Sequence, residues 1–62
     1  MTNDDYWKLI LKNLSDYDIA SVLNINLKTV RNYRKSSDRP SDFLLDMHKG
    51  IFVLNYGVYD DL

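Results

Sequence analysis

The sequence predicts an all-α fold, a small bundle of four to five short helices within one domain that covers residues 1–62. The first observation is that helix-breaking residues are sparse, with glycine only at positions 50 and 57 and proline only at position 40. The second is that apolar residues recur every three or four positions, the period of an amphipathic helix. The third is the length: 62 residues bury only about 60% of their unfolded surface, so we expect self-association.

Composition argues against an enzyme. The chain has no cysteine and one histidine, His48, so it cannot supply a disulfide, a thiolate metal site or a catalytic triad with any redundancy. We therefore expect no catalytic residues, no metal ligands, no cofactor and no small-molecule substrate. No apolar run approaches the roughly 18 residues that cross a bilayer, and residues 1–5 do not resemble a signal peptide. These features predict a cytoplasmic domain that does not enter a membrane.

The first helix is expected to begin at an N-cap formed by Asn3 or Asp4 and to run to about Asn13. The side-chain oxygens of these two residues suit the free N–H groups of a first helical turn. Lys8 and Lys12 occupy the side opposite the apolar residues. The apolar residues at helical spacing are Tyr6, Trp7, Ile10, Leu11 and Leu14.

A second short helix is expected from Asp16 to Leu23. Ser15 precedes it as N-cap, and Asp18 follows three residues later, in the position of the acid of a capping box. The residues expected to face the core are Ile19, Ala20 and Leu23. Ala20 is small enough for another helix to cross over it.

A sharp turn is expected at residues 24–26. Asn24 follows the second helix, and asparagine tolerates the left-handed conformation that reverses a chain after a helix. Asn26 then serves as N-cap of a third helix, Leu27 to about Lys35, while Ile25 directs the turn into the core. Two short helices joined by a three-residue turn form a helix-turn-helix.

A fourth helix is expected after the loop at residues 36–41, with Pro40 in its first turn. Its inward apolar residues are expected to be Phe43, Leu44, Met47, Ile51 and Leu54. Gly50 is expected to end or bend it. The run at residues 51–59 fits both a helix and a strand, and we favour helix as far as about Tyr56.

Residues 16–33 resemble the Cro/CI-like helix-turn-helix family of phage and bacterial transcription regulators. The matching positions are Ile19-Ala20, Leu23, Ile25-Asn26, Thr29-Val30 and Tyr33. Asn24 stands where the family usually has glycine, and it keeps the required backbone conformation accessible. Arg39-Pro40 before an apolar helix is also similar to small phage regulators, including those associated with anti-CRISPR genes. The resemblance implies a transcriptional repressor in a bacterial host cell, a homodimer that reads an inverted repeat in double-stranded DNA through its second motif helix.

The charge distribution agrees with a polyanion site. The net charge is −1, yet residues 24–39 carry +4, whereas residues 1–23 carry −2 and residues 40–62 carry −3. A local basic face is the electrostatic footprint of nucleic-acid binding whatever the net charge. A solvated helix face is the alternative interpretation of the same charges.

The resemblance and the helical projection together assign candidate site residues. Those expected to contact base edges are Lys28, Arg31, Asn32 and Leu27. Those expected to contact phosphates are Asn26, Arg34, Lys35, Arg39 and Ser36. Those expected at a dimer interface are Ile51, Phe52, Leu54, Tyr56 and Tyr59. The alternative function is a helix-turn-helix-derived protein-interaction module or inhibitor that docks on a polymerase, a toxin or a regulator.

Overall fold

Four α-helices make up most of residues 2–57, the part of the chain described by the computed structural model of the protein. They are α1 (Asn3–Asn13), α2 (Asp16–Leu23), α3 (Leu27–Lys35) and α4 (Asp42–Tyr56). No strand occurs within residues 2–57, so the predicted all-α class is confirmed. No helix in this part of the chain is both long enough and apolar enough to span a membrane.

The start of α1 differs from the prediction. Its N-cap is Thr2, whose Oγ1 accepts a hydrogen bond from the Asp5 N–H at 3.1 Å. Neither predicted cap is the cap, because Asn3 is the first residue of the helix and Asp4 is the second. Asn3 is used elsewhere, because its side-chain Nδ2 donates to Asp42 of α4 at 3.1 Å. The Thr2 cap is itself a local signal, since threonine is a preferred N-cap and its partner lies three residues further on.

The α2–α3 connection has the predicted local structure. The Ser15 Oγ caps α2 by accepting from the Asp18 N–H at 3.2 Å. Asn24 ends α2 in the left-handed conformation, with φ 55° and ψ 46°. The Ile25 N–H then donates back to the Ala20 carbonyl at 3.1 Å, which with the Asn24 N–H makes a Schellman ending. These bonds fix the direction in which the chain enters α3.

The next residues start and orient α3. The Asn26 Oδ1 accepts from the Lys28 N–H at 2.8 Å, as an N-cap does. Val30 is fully buried and Tyr33 is half-buried against the core. The Tyr33 ring meets Trp7 of α1 edge-on, with ring centroids 5.8 Å apart. The apolar side of α3 is therefore held against the other helices.

One hydrophobic core joins all four helices. Its buried residues are Tyr6, Trp7, Ile10, Leu14, Ile19, Val22, Leu23, Val30, Leu45 and Phe52. The rings of Tyr6 and Phe52 pack edge-on with centroids 6.2 Å apart, which holds α1 against the C-terminal half of α4. The Tyr6 hydroxyl also donates to the Lys49 carbonyl at 3.2 Å.

The ends of α4 differ from the prediction at Pro40 and agree with it at Tyr56. Its N-cap is Ser41, and the buried Pro40 precedes the cap and is not in the first turn. Gly50 does not end the helix, which continues to Tyr56 as favoured from the sequence. Gly57 ends it in the left-handed conformation, with φ 69°.

The inward face of α4 also differs from the prediction. Leu45 and Phe52 are the buried residues. Four residues predicted to face inward are exposed instead, namely Phe43, Met47, Ile51 and Leu54. The helix carries apolar residues on two sides, and spacing alone cannot tell which side packs inward. Phe52 lies on the other side of α4 and packs on Tyr6 of α1, so that side faces the core.

Candidate nucleic-acid interface

The outer face of α3 is formed by four of its exposed polar residues. At about 100° per residue they fall within an arc of about 100°, on the side away from Val30. They are Lys28, Arg31, Asn32 and Lys35, and each is exposed. The structure therefore brings together three of the four residues predicted to contact bases, with Lys35 at the helix end.

The side chain of Arg31 is more than half exposed. Its Nε lies 3.9 Å from the Asp16 Oδ2, a long ion-pair distance, and 55% of the side chain is exposed. An exposed pair at this distance contributes little to the free energy of folding. The Arg31 guanidinium is therefore available to an external partner at small cost.

The start of α3 holds two further predicted residues. Leu27, the first residue of the helix, is half-buried. Asn26 is exposed, and its side-chain oxygen is bonded to the Lys28 N–H. Its amide group therefore positions the helix start, whatever else it contacts.

Arg34 makes three contacts within the chain. Its Nε donates to the Asp16 carboxylate, and its two Nη groups donate to the carbonyls of Leu11 and Leu14, each at 2.8 Å. Carbonyls at the end of a helix have no intrahelical partner, so Arg34 satisfies two groups at the end of α1. These are the donors that the predicted phosphate contact would need. Arg34 instead joins α1 and α2 to α3.

Arg39 lies between two carboxylates. Its Nε donates to Asp4, its Nη2 lies 2.8 Å from Asp42, and its Nη1 donates to the Pro40 carbonyl at 2.9 Å. The hydrogen bond to Asp4 and then that to Asp42 raise the pKa of Arg39 above its ordinary value. Two negative charges around one guanidinium leave no net positive potential there for a phosphate.

Ser36 caps the C-terminal end of α3. Its N–H and its Oγ both donate to the Asn32 carbonyl, at 3.0 Å and 2.9 Å. The same Oγ accepts from the Asp38 N–H at 3.2 Å. The Ser36 hydroxyl is therefore engaged in the turn, although the residue itself is exposed.

A shallow cavity of about 180 Å³ adjoins the end of α3 and adds one residue that the sequence reasoning missed. It is lined by Trp7, Lys8, Leu11, Tyr33, Arg34, Ser36, Ser37 and Asp38. Lys8 belongs to the net acidic N-terminal segment, yet the fold places it beside the basic end of α3. No local pattern indicates this, because Lys8 and Ser36 are far apart in the chain.

The predicted dimer residues do not lie on one surface. Phe52 is fully buried and packs on Tyr6, so its assignment to an interface is wrong. Tyr56 is half-buried against the core, whereas Ile51 and Leu54 are exposed. Tyr59 lies outside the described residues.

Comparison with known proteins identifies no relative of the chain. No protein-family model, curated protein or solved structure matches the chain. We therefore infer the function from the geometry of α3 and its surroundings.

Proposed function

We propose that the protein is a transcriptional repressor that binds double-stranded DNA sequence-specifically, with α3 in the major groove. The observation that carries the proposal is the division of α3 into two sides. Val30 is fully buried, while Arg31 and Asn32 beside it are exposed on the basic outer face. A helix held by one side and polar on the other is the element that the major groove admits.

The chemistry of the outer face suits base edges. Arginine makes bidentate hydrogen bonds with guanine, and asparagine makes them with adenine. Arg31 and Asn32 supply one of each from consecutive positions, and Lys28 lies one turn closer to the helix start. The half-buried Leu27 offers an apolar surface for a thymine methyl group at that end.

Phosphate contacts come from residues around the ends of α3. Lys35 is exposed at its C-terminal end, and Lys8 lines the shallow cavity together with Ser36. Asn26 stands at the N-terminal end. Arg34 and Arg39 are left out of this set because their donors are occupied within the chain. Such contacts position a protein on the duplex without reading sequence.

The proposed repressor acts as a homodimer in the bacterial cytoplasm. Each base contact discriminates by only about 1–3 kcal/mol, so a few side chains from one copy give little specificity. Two copies related by a two-fold axis place their α3 helices about 34 Å apart, in successive major grooves. The expected site is therefore an inverted repeat.

A protein-interaction module that docks on a polymerase, a toxin or a regulator is the second candidate function. It is favoured by the exposed apolar residues of α4, such as Phe43 and Leu54. Surfaces of this kind mark contact with another protein. The two candidates predict opposite results with DNA alone.

A salt titration of binding to a random-sequence duplex separates them. DNA binding predicts that the logarithm of affinity falls linearly with the logarithm of salt concentration. Lys35→Ala is expected to reduce that slope by about 1. The control Lys49→Gln removes the same charge beside Asp46 of α4 and is expected to leave the slope unchanged. Absence of salt-dependent binding would favour the interaction module.

A further inference from the structure

The α4 helix has a second apolar face that points away from the core. Among residues 2–57, the large apolar side chains with high exposure are Tyr17, Phe43, Met47, Ile51 and Leu54. All but Tyr17 belong to α4. At about 100° per residue these four fall within an arc of about 80°, opposite the buried Leu45 and Phe52. We name Phe43, Met47, Ile51 and Leu54, with Gly50 among them, the outer stripe of α4.

The spacing of the outer stripe is that of a helix–helix seam. Phe43, Met47, Gly50 and Leu54 follow one another at intervals of four, three and four residues. This alternation is the heptad pattern by which two helices pack side by side. Gly50 leaves open space at the centre, since a Cβ built there would have no atom within 4 Å.

The outer stripe is complementary to a second copy of itself. In an antiparallel pair centred between residues 48 and 49, position 43 meets position 54 and position 47 meets position 50. Phe43 then packs on the other copy's Leu54, and Met47 enters the space left by the other copy's Gly50. Each contact occurs twice around the two-fold axis, as in an isologous interface.

Packing selects the antiparallel orientation. A parallel pair in register would place Gly50 beside Gly50 and Met47 beside Met47, which leaves the space at Gly50 unfilled, and it would also align the two helix dipoles unfavourably. Asp42 and Asp46 do not decide between the orientations, because both accept hydrogen bonds from Asn3 of α1 and are paired with Arg39 and Lys49.

We infer that two copies of the chain associate through the outer stripe of α4, antiparallel across a two-fold axis near residues 48–49. This inference replaces the interface that the sequence suggested, and it deepens the proposed function by naming the surface on which that function's dimer rests. It explains why a core-facing helix retains a run of exposed apolar residues on its other side.

The first test is sedimentation equilibrium without DNA across the micromolar range. The wild-type chain is expected to form a dimer, and Leu54→Glu is expected to raise the dissociation constant by more than about tenfold. Tyr17→Glu is the matched control, since Tyr17 is also highly exposed but lies on α2. Circular dichroism of each variant reports whether the helices are retained.

The second test determines the orientation by exchanging one contact for an ion pair. Phe43→Lys and Leu54→Glu alone are each expected to weaken the dimer. Combined in one chain, they are expected to restore association, because each introduced lysine then faces the introduced glutamate of the other copy. In a parallel pair the introduced lysines would face each other, and the double variant would associate less than either single variant.

Three results would overturn the inference. One is a wild-type chain that stays monomeric across the concentration range. Another is a dimer that Leu54→Glu does not weaken, which would place the interface elsewhere. The last is a double variant without restored association. All are measured without DNA and on residues outside α3, so a failure of DNA binding would leave them unaffected.

Discussion

At the scale of one residue, Asn24 determines how α2 is joined to α3. It is the non-glycine residue with positive φ among residues 2–57, and its N–H bonds back to the last turn of α2. Glycine adopts this conformation freely, whereas a β-branched residue there is a steric outlier.

We therefore expect Asn24→Gly to change the free energy of unfolding by only a few tenths of a kcal/mol and Asn24→Val to lower it by about 1–2 kcal/mol. Urea unfolding of both variants provides the measurement. Ser21→Val is the control, because it introduces the same side chain at an exposed position of ordinary helical backbone in α2. A valine variant at position 24 as stable as the wild type would contradict the left-handed turn.

Asp42 couples stability to pH through its contacts at the start of α4. The hydrogen bond from Asn3 and then the one from Arg39 lower the pKa of Asp42 below its ordinary value. Because the folded-state pKa is the lower one, the stabilisation is present above the unfolded pKa of about 4 and is lost as pH falls through the folded pKa.

Asp42→Asn is accordingly expected to lower the thermal midpoint at neutral pH, with a deficit that shrinks as pH falls below about 4. Melting curves of both proteins from neutral to strongly acidic pH give the comparison. In an Asn3→Ala background the pH dependence of that deficit is expected to be smaller, since the strongest contact is absent. A deficit that stays constant with pH would refute the role of these contacts.

At the scale of elements, Arg34 connects three helices at one point. Its guanidinium spans the carbonyls of Leu11 and Leu14 at the end of α1 and the carboxylate of Asp16 at the start of α2. These bonds hold the side of α3 that faces α1 and α2, and they leave its outer face exposed. A planar guanidinium reaches all three groups, which a single ammonium cannot do.

Arg34→Lys and Arg34→Ala are both expected to lower the free energy of unfolding by about 1–2 kcal/mol, a modest value because the site is partly exposed to solvent. Lys35→Ala, one residue further on the outer face, is expected to change it by less than about 0.5 kcal/mol. Chemical denaturation compares the three. If Arg34→Lys were as stable as the wild type, the guanidinium would act only as a charge and its phosphate role would regain support.

At the scale of the whole molecule, folding redistributes the charge that the sequence concentrates in residues 24–39. Arg34 and Arg39, two of the five basic residues there, are paired with carboxylates from distant segments. Lys28, Arg31 and Lys35 remain exposed on the outer face of α3. The basic region is thus reduced to one face of one helix, and Lys8 of α1 lines the cavity beside another side of α3, with Tyr33 and Arg34.

Local signals made the helix-turn-helix region predictable from the sequence. The Ser15 and Asn26 caps and the Asn24 turn involve partners within a few residues, so they can be predicted from neighbouring residues in the sequence. The inward side of α4 was not predictable, because Phe52 is selected by Tyr6 of α1. The partners of Arg34 and Arg39 depend on the same long-range packing, which residue spacing does not encode.

The same division applies to the candidate site. The exposed positions of Arg31 and Asn32 follow from helical periodicity, and the structure places both as expected. The dimer prediction is wrong at Phe52, because an apolar run does not indicate which of its residues are buried in the core.

Selection of bound sequences from a pool of random duplexes tests the central claim most directly. The wild-type protein is expected to enrich a short inverted repeat. Arg31→Ala is expected to lose about 1–3 kcal/mol on that site and the preference at one base position in each half, whereas Lys35→Ala weakens binding to all sequences alike. A pool without an enriched sequence, or an Arg31→Ala variant with unchanged affinity and preference, would contradict the assignment of α3 as the reading helix.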